Sequence, residues 1–399
     1  MVSTVYIAKN VYGGAGLGRL GDGRVAFVEG AFAGEQVKAE IVAEKRTFVK
    51  ARLIEIVERS ADRIGELPPP VPGMVYANLA YAAERRAKAE QLKDFFERAR
   101  LPAGDFAAVE AGEPEHYRNK VVYHFAKQAG RWAIGYRLEG SHTVQDVTDD
   151  PLAAPAINAA LPEIRRAVTT LLTTGPQAVR RDTERKESLT IRASARSGVK
   201  WWLGEAPGEV TLKEETAGRV FEVPAGGFYQ VNPVVADKLV RLVADEYVRG
   251  GGGDFLDLYC GVGVFGLSAV KAAGTLAGRL TGIESGRQAI EFARRNASAL
   301  GVEARFYAER VGDNLRRIAI GPQTTVIVDP PRGGLEGGVA KWLAASRAPR
   351  IFYVSCDAAT LVRDLREICR GYAIEKVRML DMFPRTACFE TLVVLKRQS

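Results

Sequence analysis

Cysteine is scarce in this 399-residue chain: the four are Cys260, Cys356, Cys369 and Cys388, all in the last third. They show neither metal-ligand spacing nor a disulfide framework, which excludes a stapled scaffold and leaves reduced thiols as the expectation. No apolar run approaches the length that spans a bilayer. The opening MVSTVYIAKN has no signal-peptide core, and no long-period repeat is found. These absences exclude membrane, secreted and solenoid classes and make cytoplasmic residence without a membrane partner the expectation.

The composition is that of a soluble globular protein, with 47% hydrophobic, 26% charged and 8% aromatic residues. Its length suits two or three domains. A formal charge of +8 and a pI near 9.2 favour polyanionic partners, because lysine and arginine displace counterions from phosphates.

Residues 1–59 read as short glycine-punctuated strands, the pattern of a small OB-like barrel. Lys9, Arg19, Arg24, Lys38, Lys45, Arg46, Lys50 and Arg52 give it a basic surface. LPPPVPG at 67–73 marks a boundary or turn. In the helical pattern that follows, over 81–99, Leu92, Phe95 and Phe96 share a face opposite a polar one. Residues 117–230 alternate strand-like pieces with one helix around AAPAINAALPEI, so 60–222 is expected to be a central α+β region, its first helix packing on the catalytic domain. From about 250 the pattern becomes strand, loop, helix, repeated, which predicts a doubly wound parallel sheet. The last two strands are joined only by FPRTAC, too short for a parallel crossover, so the final strand is expected to run antiparallel. The fold class is therefore α/β, with 223–399 as a Rossmann-like catalytic domain.

The stretch IFYVSCDAAT, 351–360, sets a cysteine where a strand stops and a polar turn begins. That is the edge at which open α/β sheets bind ligands. The first strand of the same sheet ends in DLYCGVGVFG, whose Gly261, Gly263 and Gly266 fit G-x-G-x-x-G, with Glu284 ending the next strand and placed to meet a ribose. This motif alone serves a dehydrogenase or a methyltransferase equally well. The fourth strand decides, because Asp329 followed by Pro330 and Pro331 sits on a rigid turn beside Cys356, which fits group transfer. An antiparallel last strand begins at the same edge and brings Glu390 there. A thiolate, a carboxylate and a methyl donor together solve one problem, methylation of carbon 5 of uracil. The thiolate adds at carbon 6, carbon 5 takes the methyl, and a base removes the carbon 5 proton. Cys356 is the expected nucleophile and Glu390 the expected base.

At these residues the chain resembles the RNA uridine-5 methyltransferase family, which includes the tRNA thymidine-forming enzyme and the 23S ribosomal RNA 5-methyluridine enzymes. The matching pieces are GGFYQVNP, DLYCGVGVFG, GIE, DPPRGGL, YVSCDAATL and MFPRTACFE, six ordered motifs over about 165 residues. The resemblance implies S-adenosylmethionine as cofactor, contacts to it from Gln230, Tyr259, Glu284 and Asp329, and the same roles for Cys356 and Glu390. It also likens residues 1–59 to the TRAM domain, an OB-like RNA-binding module. Structured RNA is the implied partner, 23S rRNA favoured over tRNA, with no protein partner indicated and a monomer as the default.

Four departures stand out. Many relatives hold an iron-sulfur cluster on four cysteines, none of which survives in PPPVPGMVYANLAY or DDPLAAPAINAALPEI, so no cluster and no metal is expected. The usual histidine of F-P-x-T-x-H-x-E is Cys388, read as lying two residues before Glu390 on the same strand face, and the usual Asn after VSC is Asp357. Val264 stands where some relatives carry a polar residue near the cofactor. The alternatives are a non-catalytic RNA-binding protein on a decayed methyltransferase fold and, less well supported, a nicotinamide dehydrogenase.

Overall fold

A computed structural model describes residues 1–65, 70–109, 112–138, 140–174, 176–315 and 317–398. Residues 67–69 of the proline-rich stretch lie outside these. The chain divides into two compact units, Met1–Arg100 with Phe383–Phe389, and Leu101–Met382 with Glu390–Ser399.

The first unit holds β1 (Val2–Asn10), β2 (Gly16–Arg19), β3 (Val25–Glu29), β4 (Gln36–Glu44), β5 (Phe48–Glu58) and helix α1 (Tyr81–Ala99). The strands close into a barrel in the order β1-β2-β3-β5-β4. Period-two alternation turns Val5, Ile7, Ala26, Val28, Val37, Ala39, Val49 and Ala51 into its core. Of the eight barrel cations, Lys9, Arg24, Lys38 and Arg52 are paired with Asp94, Asp22 and Glu44, Glu55, and Glu40 respectively.

Helix α1 belongs with the barrel rather than with a central region, and the reason is polar. Glu84, Lys88 and Gln91, three of its polar residues, are buried. Gln91 donates to the Asn10 carbonyl at 3.3 Å, Lys88 to Glu84 at 2.7 Å and to the Phe383 carbonyl at 3.2 Å, and the Arg385 amide to Glu84 at 2.7 Å. Buried charges persist only when paired and hydrogen-bonded in this way. The helix thus holds the 383–389 segment.

The second unit contains β6 (Asp105–Val109), β7 (Lys120–Gln128), β8 (Arg131–Arg137), β9 (Val144–Asp146), α2 (Pro155–Thr173), α3 (Gln177–Lys186), β10 (Ser188–Ser194), β11 (Gly198–Leu203), β12 (Thr211–Thr216), β13 (Arg219–Pro224) and α4 (Pro233–Arg249). These are followed by β14 (Gly253–Leu258), α5 (Val264–Ala273), β15 (Ala277–Glu284), α6 (Arg287–Leu300), β16 (Ala304–Ala308), α7 (Val311–Asn314), β17 (Thr324–Val328), α8 (Val339–Ala344), β18 (Arg350–Ser355), α9 (Ala358–Ile368), β19 (Tyr372–Leu380) and β20 (Glu390–Arg397). Strands β11-β10-β7-β8-β9 form an antiparallel sheet against which α2 sets Ile157, Leu161, Ile164, Val168 and Leu172, and β12 and β13 form a hairpin.

The large sheet has the order β16-β15-β14-β17-β18-β20-β19-β6. Strands β16 through β18 run parallel, and β20 is antiparallel to both β18 and β19, as the short FPRTAC connection requires. β6 adds a parallel edge beside β19. The 60–222 segment is therefore shared between the units. No helix among the described residues is long and apolar enough to cross a membrane.

Candidate active site

Strand β18 is apolar on both faces, with Ile351, Phe352, Tyr353 and Val354 all buried, which identifies it as a central strand. Its polar end turns sharply into α9. The Asp357 amide donates to Ser355 Oγ at 3.2 Å, Ser355 Oγ donates to the Asp357 carbonyl at 3.0 Å, and Asp357 Oδ1 accepts the Thr360 amide at 2.8 Å as the helix cap. Aspartate and asparagine cap equally well, so the change from the family's Asn keeps the turn. Cys356, half-buried, is the residue this turn presents.

Strand β20 lies antiparallel beside β18 with Val354 opposite Leu392 and Ser355 opposite Thr391. Continued one residue past that last pair, the register brings position 356 to face position 390, and directly opposed residues in an antiparallel pair face the same side. Glu390 is only 2% exposed. Burial holds its carboxyl well above the ordinary glutamate range, the charge of Asp329 adds to this, and Arg332 opposes it. The Cys356 thiol is pushed up to about 11, by burial first, then by Glu390 and Asp329, again with Arg332 opposing.

Asp329 follows β17, where its amide donates to the Leu258 carbonyl of β14 at 3.3 Å, and burial pushes its carboxyl up to about 7. Pro330 and Pro331 then stop the strand. At the end of β14 the chain passes through left-handed backbone at Tyr259 (φ 63°), Gly261 (φ 52°) and Gly263 (φ 86°). The Tyr259 and Cys260 amides donate to the Ile283 carbonyl at 2.8 and 3.1 Å, fastening the loop to β15. A Cβ on Gly261 would meet nothing within 4 Å, so the loop borders open space there. Glu284, ending β15, accepts the Gly286 amide at 2.7 Å and the Ser285 hydroxyl at 3.0 Å on Oε1.

Residues 180–398 match the family model described as tRNA (Uracil-5-)-methyltransferase. The chain is also 30% identical to an uncharacterized RNA methyltransferase of Thermotoga maritima, covering 99% of both chains. The chain belongs to this family of RNA uracil-5 methyltransferases. The methyltransferase is 27% identical to the 23S rRNA (uracil(1939)-C(5))-methyltransferase of Vibrio campbellii, over 98% of this chain and 95% of that one. In fold it resembles the Pyrococcus abyssi tRNA (uracil-54, C5)-methyltransferase, solved with S-adenosyl-L-homocysteine, with a TM-score of 0.75 and 22% identity over 98% and 99% of the two chains.

The ends of β14, β15, β17 and β18 and the start of β20 bring Tyr259, Gly261, Gly263, Glu284, Asp329, Cys356 and Glu390 to one sheet edge. Gln230 sits in the loop before α4, where the Asn119 side chain donates to its carbonyl at 3.4 Å and Asn232 caps the helix. Cys388 precedes β20, so the alternation argument that put it on the face of Glu390 does not apply. Val264 packs against the Val223, Tyr229, Val262 and Phe292 cluster, an apolar use of that position. Among the described residues no group of three or more His, Cys, Asp or Glu is placed to hold a metal ion.

Asp257 was not singled out from the sequence. It is 1% exposed on β14, its Oδ2 accepts the Gly266 amide at 2.9 Å, its Oδ1 has no hydrogen-bond partner among the described residues, and burial pushes it up to about 7. A Cβ on Gly266 would lie 2.9 Å from that Oδ2 and 2.7 Å from Leu280 Cδ1, so a side chain there would force its neighbours to shift. The same strand, GDFLDL, also holds Asp254, so no signal in the sequence set Asp257 apart. Arg192 was missed as well. It is 1% exposed, pairs with Glu214 at 3.0 Å and donates to the Ala225 and Gly227 carbonyls at 3.3 and 3.4 Å, tying down the loop that carries Gln230.

Proposed function

We propose that this methyltransferase transfers a methyl group from S-adenosylmethionine to carbon 5 of a uridine in structured RNA through a covalent bond between Cys356 and the base. The reading is carried by the β18–β20 register, whose last pair is Ser355 with Thr391, continued one residue to Cys356 and Glu390, and by the action of the Glu390 and Asp329 charges on the Cys356 thiol. The residues fit the donor: Glu284 and Asp329 offer carboxyl groups to a ribose and to a cation, beside the open space at Gly261. Gln230 and Tyr259 complete the expected contacts. When bound, the donor supplies an electrophilic methyl at its sulfonium.

The Cys356 thiolate adds to carbon 6, and the electron pair of the 5,6 double bond moves toward the carbonyl at carbon 4, giving an enolate whose carbon 5 is nucleophilic. After carbon 5 gains the methyl, Glu390 takes its remaining proton. The double bond re-forms and the thiolate leaves. The target base must leave its stack to reach such a site. The barrel and the β11-β10-β7-β8-β9 sheet are the proposed RNA-binding parts. The Vibrio relative and the barrel support 23S rRNA as substrate; the family model and the Pyrococcus structure favour the second reading, tRNA.

Cys356→Ala is expected to abolish turnover while leaving donor binding intact. Glu390→Gln is expected to trap RNA on the protein, because addition and methyl transfer precede proton removal. A Glu390→Gln enzyme that turns over normally and shows no slower-migrating RNA-linked band on a denaturing gel overturns the mechanism. Mapping 5-methyluridine in RNA from cells with and without the gene separates rRNA from tRNA.

A further inference from the structure

Helix α9 begins beside Cys356, and its Thr360, Arg363 and Asp364 hydrogen-bond to the DPPRGGL loop. Asp364, 5% exposed, is the hub. Its Oδ2 accepts the Tyr353 hydroxyl of β18 at 2.8 Å and the Leu335 amide of the loop at 2.8 Å, while its Oδ1 accepts Arg363 Nε at 2.8 Å. Arg363 Nη2 donates to the Gly333 carbonyl at 3.0 Å, and Thr360 Oγ1 to the Arg332 carbonyl at 3.3 Å. Gly334, at φ +76°, lies so close that a Cβ there would overlap Arg363 Nη2 and approach Asp364 Oδ2 to 2.6 Å. The loop is therefore pressed onto α9 with no room for a side chain. The same helix is capped by Asp357, the residue after Cys356.

We infer that Asp364, seated against Gly334, is a positioning residue of the methylation reaction, setting where Arg332 stands relative to Cys356. The inference rests on Cys356 being the nucleophile. One rigid helix holds the thiol turn at its first residue and the Arg332 loop one and two turns later. Asp329, anchored to β14 upstream of two prolines, stays in place when the loop is released, so the guanidinium moves and the carboxylate does not. Three donors converge on a buried carboxylate, and an amide in its place turns an NH2 toward one of them.

The test compares Asp364→Asn, Gly334→Ala and Tyr353→Phe with the wild type, each checked for folding by circular dichroism and melting temperature. Asp364→Asn and Gly334→Ala are expected to lower kcat by at least about tenfold, since an error of about 1 Å in a reacting group can cost about a hundredfold. KM for RNA should stay within about threefold, because no RNA contact is removed. The alkylation midpoint of Cys356 should move to higher pH as Arg332 withdraws, a shift that a purely structural helix residue would not cause. Tyr353→Phe, which removes one donor only, should be the mildest, and with Gly334→Ala it keeps the test open if Asp364→Asn fails to fold. Folded variants with wild-type kcat, or with lowered kcat and an unmoved thiol midpoint, overturn the inference. If Cys356→Ala retains turnover, the nucleophile assignment itself has failed; if that variant is dead and Glu390→Gln traps RNA while these variants behave as wild type, only the role of Asp364 has failed.

Discussion

Replacing Glu390 by glutamine should make Cys356 more reactive toward alkylating agents even as it disables the enzyme. The thiol stands at about 11 because it is buried and because it faces the Glu390 and Asp329 carboxylates. The substitution leaves burial alone and deletes one of the two charges. Opposed residues on an antiparallel rung have Cβ atoms about 5 Å apart. Two unit charges at that distance, in an effective dielectric of about 20, repel by about 3 kcal/mol, or roughly two pKa units. Cys356 is half-exposed and solvent screens the pair, so about one unit is the reasonable expectation. The midpoint then falls to about 10, and at about pH 9.5 the thiolate fraction and the alkylation rate rise roughly eightfold. The assay is iodoacetamide labelling from about pH 7.5 to about pH 11, read by mass spectrometry on the peptide containing residue 356 so that Cys260, Cys369 and Cys388 do not contribute. An unchanged or higher midpoint would show that the two side chains do not share a pocket, and would remove the basis for pairing them in catalysis.

Stability should fall as pH rises through the neutral range. Asp257 and Asp329 stand at about 7 in the folded protein against about 4 in an unfolded chain, so between those values the folded state binds more protons and loses stability with increasing pH. Melting temperature is expected to be higher at about pH 5.5 than at about pH 8, and Asp257→Asn should flatten that slope; a slope unchanged in the variant refutes the assignment. Arg192→Ala should cost about 3 to 5 kcal/mol in urea unfolding because Glu214, 5% exposed, loses its cation. A paired replacement by Met and Leu should cost much less, and equal losses in the two variants would refute the ion-pair account.

Much of the catalytic half was legible because its signals are local. The alternation of apolar strands with loops and helices marked β14 to β18, and the shortness of FPRTAC forced the antiparallel β20 that brings Glu390 to the site. What stayed hidden depended on distant partners or lacked periodicity. β6 is five residues long and becomes a strand only by pairing with β19, some 270 residues later. Helix α3, QAVRRDTERK, buries only Thr183 and so presents no apolar stripe to read. The polar face of α1 looks like a solvated one until the 383–389 segment supplies partners for Glu84 and Lys88. Asp257 and Asp364 were invisible as functional groups because their importance lies in which amides and hydroxyls surround them.

The path of the chain between Leu380 and Glu390 constrains how this protein can be divided. Having finished β19, it leaves its own unit for seven residues, Phe383 to Phe389, that fold with the barrel, and then returns as the proposed base. No single cut yields an intact catalytic half, since removing the first hundred residues strips the 383–389 segment of the helix against which Lys88 and Glu84 hold it. A gene fragment encoding only the carboxyl-terminal portion should therefore yield a protein in which Phe383–Phe389 has lost Lys88 and Glu84, its hydrogen-bond partners on α1.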